Sequence, residues 1–476
     1  MASSAGPSRR ISRRIAIVGG GSAGVVAMRY LRKAGHRPTL FEAGQSLGGV
    51  WAEHPTNDVV YKNLQTNLPT CVMQSPDFDF PPGLPSYIST RALGQYIESY
   101  AASFEVSARL NTKVVSVAPA GREGWRVCWR SGGEQQAEDF DVVAVANGHY
   151  TEPNRPELPG QLEWLRGGEG RKVVHSREYD QPTNFKDETV LVVGGRSSGV
   201  DIARELRGSA KWVYVMDKSC KGPEPLLRED QACAHVPVGT QLHADGRLRI
   251  GDRIVTEAPA VDTVILATGY LYDFPFLDEQ EADLSFRGQR FVSPLYQHIV
   301  HASRPSLGFI GIPLSVPCPI PFFEIQAVYL GEHWAHSYER DDATTSDDAT
   351  TSAALTTERE RLAWVEARRV AVSSRLQDMH LMGAPGGKQS EDSAWAYMRS
   401  LLRLSRLSAD DCAHWLDRMD TVEAIYQDRV HRAPQLPWDD DVYRRCEYTV
   451  TNWERGEWAV VPPPDEARDK AGVPKM

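Results

Sequence analysis

Residues 14–51, RIAIVGGGSAGVVAMRYLRKAGHRPTLFEAGQSLGGVW, read as strand, glycine turn, helix, strand and second glycine turn. Residues 15–18 are a short apolar run of strand length, and Gly19-Gly20-Gly21-Ser22-Ala23-Gly24 follows directly. Residues 25–33 carry apolar and helix-forming side chains, and Gly35 stands where a helix C-terminus favours glycine. A second strand over 38–41 ends on Glu42, 23 residues beyond Gly19. Each part has a physical task in holding a dinucleotide. Gly19 permits the tight turn, Gly21 lets a pyrophosphate approach where a Cβ would obstruct it, and Gly24 lets helix and strand pack closely. The pyrophosphate would meet unpaired N–H groups at the positive end of the helix, and Glu42 would accept from ribose hydroxyls. Three glycines at this spacing arise by chance about 0.2 times in a chain of this composition. The flanking strand, helix and acid therefore carry the argument.

Working outward, the 476 residues suffice for two or more domains, and 41% hydrophobic with 24% charged residues is a globular composition. A net charge of −10 argues against nucleic acid as the main partner. No run reaches the ~18 unbroken apolar residues of a membrane span. The seven cysteines are scattered singly, without a CxxC pair or a metal-ligand cluster, as expected of reduced thiols in a cytoplasmic protein. Residues 1–13 hold three arginines and no acid. A disordered basic tail is favoured there over a short organellar targeting segment.

The opening pattern returns later. Residues 189–193 form a strand, Gly194-Gly195-Arg196-Ser197-Ser198-Gly199 a turn, and 200–206 a helix. A strand over 212–216 then leads to Asp217, again 23 residues after the first glycine of the turn. Two such units imply two nucleotide cofactors and electron transfer between them. Arg196 stands at the middle glycine position; its Cβ obstructs a pyrophosphate, but its guanidinium can bind phosphate in bidentate fashion. Asp217 suits an unphosphorylated ribose, whereas Lys218 and Lys221 suit a 2′-phosphate, and NADPH is favoured over NADH. Strands over 140–146 and 261–270 each run into a glycine turn, at Gly148 and at Thr268-Gly269, beside the nucleotides.

The expected fold is thus α/β, with two Rossmann-like domains, the second inserted into the first, and a helical C-terminal cap. The segments are a tail over 1–13, a first nucleotide domain over 14–160, a second over 161–290, and a return with cap over 291–476. Between the domains' motifs, 59–90 reads as a packed functional loop, 91–104 as a helix, and 112–117 and 125–129 as strands of a small antiparallel unit. A helix is expected over 323–334 and another from 358 to about 379. DDATTS occurs twice in tandem, at 341–346 and 347–352, so 338–357 is expected to be a disordered insertion. Trp395, Trp415, Trp438 and Trp453 are assigned to packing.

Several motifs in order carry a family resemblance. They are Gly19–Gly24, Gly48-Gly49-Val50-Trp51, Tyr61 with Thr66-Asn67, Asp77-Phe78-Asp79-Phe80-Pro81, Ser198-Gly199-Val200-Asp201-Ile202-Ala203, and Ala267-Thr268-Gly269-Tyr270. Together they resemble the flavin-containing monooxygenases, and the stretches 146–153 and 295–298 look most like the soluble sulfur-oxygenating members of plant and fungal type. The resemblance implies that Gly19, Gly20, Gly21, Ser22, Ala23, Gly24, Glu42, Gly49, Val50, Trp51 and Gly148 contact FAD. Gly194, Arg196, Ser197, Ser198, Gly199, Val200, Asp201, Lys218, Thr268 and Gly269 would hold NADPH. Thr66, Asn67 and Leu68 would lie where flavin and nicotinamide meet. NADPH would reduce FAD, oxygen would add to give a flavin hydroperoxide, and a soft nucleophile, thioether sulfur or amine nitrogen, would take the distal oxygen. Asn67 is the implied catalytic residue, because its neutral amide can both donate and accept. A family histidine signature survives only imperfectly at His175, which is assigned a structural role, and Asp180-Gln181 after Tyr179 disfavours ketone insertion. A disulfide reductase is disfavoured for want of a cysteine pair, and a non-catalytic scaffold would follow if Arg196 excluded NADPH. The remaining partners are a small sulfur- or nitrogen-containing substrate and molecular oxygen; a homodimer is compatible with the sequence, and no metal is expected.

Overall fold

A computed structural model describes residues 10–53, 59–104, 106–121, 124–220, 222, 225–228, 232–336, 356–372, 379–382, 393–405, 407–433 and 440–464. The chain opens with β1 (Arg14–Val18), α1 (Ser22–Lys33) and β2 (Arg37–Phe41). The β1 backbone is buried from Ile15 onward, and α1 turns Val25, Val26, Met28 and Leu31 inward. α2 (Thr90–Ala102) follows the 59–89 loop, its first turn capped by the Ser89 hydroxyl accepting from Ala92 N–H. After β3 (Ala108–Arg109), an antiparallel sheet of β4 (Lys113–Ala120), β5 (Gly124–Ser131) and β6 (Glu134–Phe140) stands out from the domain. β7 (Val142–Val145) then returns to pair with β1 in parallel. The single strand expected over 140–146 is therefore broken at Asp141, whose carboxylate accepts the Arg14 N–H at 2.6 Å. β6 was not expected, because EQQAEDF is polar at almost every position. It forms as the outer strand of the small sheet, where its backbone bonds to β5 and most of its side chains face water.

The second sheet comprises β8 (Lys172–His175), β9 (Thr189–Val193), β10 (Trp212–Asp217), β11 (Leu226–Arg228), β12 (Cys233–Pro237) and β13 (Thr263–Leu266), with α3 (Ser197–Leu206) linking β9 to β10. Its strand order is β11-β12-β10-β9-β13-β8, parallel except for β11. A three-stranded sheet over 241–254, not foreseen, packs beside it. β14 (Leu295–Tyr296), β15 (Val300–His301) and β16 (Leu307–Phe309) then rejoin the first sheet, whose order is β14-β15-β16-β7-β1-β2-β3. The outgoing and returning links lie side by side, Glu152–Pro153 pairing antiparallel with Tyr270–Leu271.

α4 (Pro319–Trp334) is nearly all buried and packs against α1. It begins four residues before the expected 323, because prolines at 319 and 321 occupy first-turn positions that need no N–H partner. Beyond it lie α5 (Glu358–Val372), α6 (Ala394–Leu404), α7 (Ala409–Arg432), and a hairpin of β17 (Glu447–Asn452) and β18 (Glu457–Val461) that joins the helices of the cap. Trp395 and Trp415 are core residues and Trp453 packs on that core, while Trp438 and 338–355 of the repeat insertion lie outside the described residues.

The tail expected over 1–13 ends earlier than residue 13. Arg10 pairs with Glu332 at 2.7 Å, Ile11 N–H donates to the Ala335 carbonyl, and Ser12 Oγ donates to the Gly35 carbonyl. These contacts tie 10–13 to the C-terminal ends of α4 and α1; residues 1–9 lie outside the description. Among the described residues no helix is long and apolar enough to cross a membrane.

Candidate functional site: two duplicated glycine turns and the seam between them

The neighbours of β1 are β2, reached through α1, and β7, reached after the long excursion, so the order reverses at the carboxyl end of β1. At that point Gly19 has φ +106°, and a Cβ there would stand 2.6 Å from the Ala146 carbonyl oxygen. A Cβ on Gly24 would lie 1.8 Å from the Gly19 carbonyl oxygen, so only glycine lets α1 sit this close to β1. The two turns of the opening stretch lie back to back. Gly48 N–H donates to the Gly20 carbonyl at 2.9 Å, and a Cβ on Gly49 would stand 2.9 Å from Gly21 Cα. Val50 and Trp51 follow in the single turn Gly49–Trp51, against which α2 packs so tightly that a Cβ on Gly94 would meet the Trp51 carbonyl oxygen at 2.0 Å. Gly94 is a fold-determining glycine that the motif reading passed over; its signal was a glycine inside a helical pattern.

The second turn repeats this geometry position by position. Gly194 has φ +118°, a Cβ there would lie 2.3 Å from the Ala267 carbonyl oxygen, and a Cβ on Gly199 would lie 1.7 Å from the Gly194 carbonyl oxygen. Gly19 N–H donates to the Phe41 carbonyl and Gly194 N–H to that of Met216, both at 2.9 Å. Gly148 and Gly269, closing the third strand of each unit, share φ +76°. Even the acids correspond. A Cβ on Gly20 would meet Glu42 Oε2 at 2.9 Å, and one on Gly195 would meet Asp217 Oδ2 at 2.0 Å.

The middle position differs. Arg196, like Gly21, is the N-cap residue in extended conformation (φ −93°), so the substitution strains nothing. Its guanidinium reaches out of the turn to Ser315 Oγ at 2.5 Å. Neither Gly21 nor Arg196 gives its helix a side-chain cap, whereas Ser89, Ser393 and Ser408 cap α2, α6 and α7. The helix starts at the two glycine turns thus keep N–H groups for an anion.

The loop that follows the first unit meets the second turn at a seam. Asn67 Nδ2 donates to Ser197 Oγ, in the first turn of α3, at 3.2 Å, and the Asn67 carbonyl accepts from Arg429 Nε at 2.8 Å. Facing them is the segment 311–315, held at several points. Gly311 N–H donates to Gln326 Oε1, the His149 ring bonds the Gly311 carbonyl, Tyr272 OH donates to the Ile312 carbonyl, and Leu314 N–H donates to the His380 carbonyl. Burial pushes the His149 imidazole down to about 4, against the pull of that carbonyl, so the ring is neutral and donates from Nδ1.

A family described as FMO-like, flavin-binding monooxygenase-like, matches residues 12–222. The Arabidopsis thaliana flavin-containing monooxygenase FMO GS-OX-like 2 is 34% identical over 359 residues, covering 68% of this chain and 74% of the relative. The chain belongs to the flavin-containing monooxygenases. Another Arabidopsis relative, FMO GS-OX-like 4, is 34% identical over 366 residues, 69% of this chain and 77% of its own. Among solved structures, S-allyl-L-cysteine S-oxygenase from Allium sativum superposes with a TM-score of 0.72 at 28% identity, covering 91% of this chain and 96% of that one. Tmm from Pelagibacter, at 19% identity and TM-score 0.68, shares the fold.

As a flavin-containing monooxygenase the protein is an enzyme that uses FAD and NADPH, and the two glycine turns with their uncapped helix starts suit such nucleotides. Ser46 Oγ and Asn147 Oδ1 are buried without a hydrogen-bond partner among the described residues, and Asn147 lies against the first turn, its Cα 2.8 Å from where a Cβ on Gly19 would stand. Glu42 accepts from Gly20 N–H and Gly44 N–H, both at 2.6 Å, which fixes its carboxylate at the rim where a ribose would lie.

Several residues assigned to the cofactors from sequence have other partners. Asp201 turns its carboxylate toward the cap. Its carboxylate takes Arg444 Nη2 at 2.8 and 2.9 Å, Arg204 Nη1 at 3.1 Å and Tyr61 OH at 3.2 Å, because it lies one turn along α3 on the side that meets the cap. Thr66 Oγ1 accepts Ile88 N–H, and the Leu68 side chain is in the main core, so of the three adjacent residues only Asn67 turns its side chain to the seam. Asp217 Oδ1 accepts from Ser219 N–H and Oγ, and His235 Nε2 stands 3.0 Å away. Burial opposes its charge, but those bonds hold Asp217 down to about 2. It is an ionised carboxylate already bonded to its neighbours. Lys218 beside it is exposed, and Lys221 lies outside the described residues. Thr268 Oγ1 donates to the Asn154 carbonyl. His175 is fully buried, with Nε2 bonded to the Gly269 carbonyl and Nδ1 accepting Arg177 N–H, a linker role between the units. Ser315, Arg429, Tyr443 and Arg444 complete the seam; the last three went unnoticed in the sequence, where nothing marks them.

Proposed function

We propose that this flavin-containing monooxygenase uses NADPH and molecular oxygen to oxygenate a soft nucleophile, a thioether sulfur to its sulfoxide before an amine nitrogen. The observation that carries the reading is the Asn67–Ser197 contact. It joins the loop after the first nucleotide turn to the helix start of the second, so the reactive ends of two bound nucleotides would converge on one amide. Bound FAD supplies hydride acceptance from NADPH and activation of oxygen. The chain's own contribution is to bind, orient and exclude water. Gly19–Gly24 with Glu42, Gly49, Val50, Trp51 and Gly148 would hold FAD. Gly194, Arg196, Ser197, Ser198, Gly199, Val200, Lys218, Thr268 and Gly269 would hold NADPH, with Arg196 offering its guanidinium from the turn. Asn67 Nδ2 would donate to the oxygen in transit without adding a charge, and its Oδ1 would accept from the nicotinamide amide. These roles follow a division into 14–160, 161–290 and 291–476.

Sulfur is favoured because the 28%-identical garlic neighbour is an S-oxygenase that matches almost end to end. The substrate pocket would be built from 70–90, 314–323 and the C-terminal cap. The test is a panel of alkyl and aryl thioethers against tertiary and hydroxylatable amines, following NADPH oxidation, product and hydrogen peroxide together. Sulfoxide formed at about one per NADPH on a thioether, with peroxide dominant on the amines, is expected. Coupled turnover on amines alone would overturn the sulfur assignment.

A further inference from the structure

The seam at Asn67 is held from outside by a part of the chain to which the nucleotide motifs assign no role. Arg429, near the end of α7, donates from Nε to the Asn67 carbonyl at 2.8 Å and from Nη2 to Tyr443 OH at 3.0 Å, and its guanidinium lies over the Tyr443 ring, 4.5 Å from the centroid. Arg444 donates from Nε to the same phenol oxygen at 3.1 Å. From Nη2 it grips both oxygens of Asp201 on α3, and Nη1 pairs with Asp441 at 3.1 Å. Arg204 on α3 answers by bonding both Asp201 and Asp441, and Arg207 pairs with Asp440 at 3.1 Å. The Tyr443 side chain itself is buried, its ring edge-on to Tyr87 at 5.5 Å.

One six-residue segment, 440–445, is therefore tied on one side to the backbone of Asn67, through Arg429, and on the other to the helix that begins at Ser197. Asn67 and Ser197 touch through a single 3.2 Å hydrogen bond. The path through Arg429, Tyr443, Arg444 and Asp201 spans the same two elements with charge-assisted bonds around largely buried side chains, the stronger class. We propose that Arg429, Tyr443 and Arg444 are positioning residues, a clasp by which the C-terminal segment sets the register of Asn67 against α3 and so keeps the oxidised nicotinamide nucleotide in place during oxygen transfer. The proposal rests on the reading of Asn67 given above, and its test separates the two.

Tyr443→Phe keeps the ring against Tyr87 and removes only the oxygen shared by the two arginines. Arg429→Gln removes the charge, and Arg429→Lys restores it. Each holoenzyme is compared with wild type in FAD content, in the dissociation constant for NADP⁺ read from perturbation of the flavin spectrum, and in peroxide released per NADPH. Expected for Tyr443→Phe and Arg429→Gln are retained FAD, an NADP⁺ dissociation constant raised about tenfold, and a peroxide fraction raised severalfold, with Arg429→Lys lying between them and wild type. The clasp is overturned if both variants, measured on the FAD-loaded fraction, hold NADP⁺ within about twofold of wild type, whether or not they have lost melting temperature. Should wild type oxygenate neither thioethers nor amines, the functional reading fails, and the NADP⁺ constants still decide the clasp.

Discussion

Glu324 is the residue whose environment and chemistry conflict most. It lies on α4 with no exposure, accepts from Ser75 Oγ at 2.6 Å and Tyr100 OH at 3.0 Å through Oε1, and has an Oε2 with no partner among the described residues. Burial pushes the carboxyl up to about 7, only partly offset by those two hydroxyls and the nearby Arg418 and Arg29. The folded state thus holds this proton more tightly than the unfolded chain does. Its contribution to stability is complete below the unfolded value near 4.3 and is lost as pH rises through about 7, a loss on the order of 3 kcal/mol. Thermal melts from pH 5 to pH 8.5 should show wild type falling relative to Glu324→Gln across that window, and parallel curves would contradict the assignment. Single residues were legible in the sequence only where a local backbone requirement fixed them. Gly19 and Gly194 need positive φ, and their spacing to Glu42 and Asp217 is written within about 25 positions. The ties of Asp201 to the cap were not legible, because its partner Arg444 lies 243 positions away and leaves no periodic trace.

At the scale of elements, the strand–turn–helix–strand unit was readable because its packing is internal to some thirty residues. The duplicated close approaches of Gly24 to Gly19 and of Gly199 to Gly194 give a paired prediction. A methyl group at either site forces the helix off its strand, at roughly 1–3 kcal/mol. Gly24→Ala should purify with little FAD. Gly199→Ala should keep FAD and lose NADP⁺ affinity by about tenfold or more, read from the flavin spectrum. Loss of FAD from both, or from neither, would contradict the division of labour between the turns. Elements that depend on distant partners were harder to anticipate. β6 has no alternation to betray it, and α4 hides its first turn behind two prolines. The clasp combines the end of a helix with the segment before a hairpin.

At the scale of the molecule, insertion of one nucleotide unit into another follows from the chain order and is visible in the side-by-side links at Glu152–Pro153 and Tyr270–Leu271. Two sheets with turns of the same geometry meet where Asn67 touches Ser197, and the cap grips both. Such an arrangement suits the proposed reaction, in which one nucleotide would stay beside the other after delivering its hydride and water at the seam would divert oxygen to peroxide. The most direct test is the yield of hydrogen peroxide per NADPH in Asn67→Ala, with a coupled thioether as substrate. Retained FAD and NADPH oxidation, with nearly every turnover released as peroxide and sulfoxide reduced at least about tenfold, is the predicted result. Sulfoxide formed at the wild-type yield per NADPH would contradict the account.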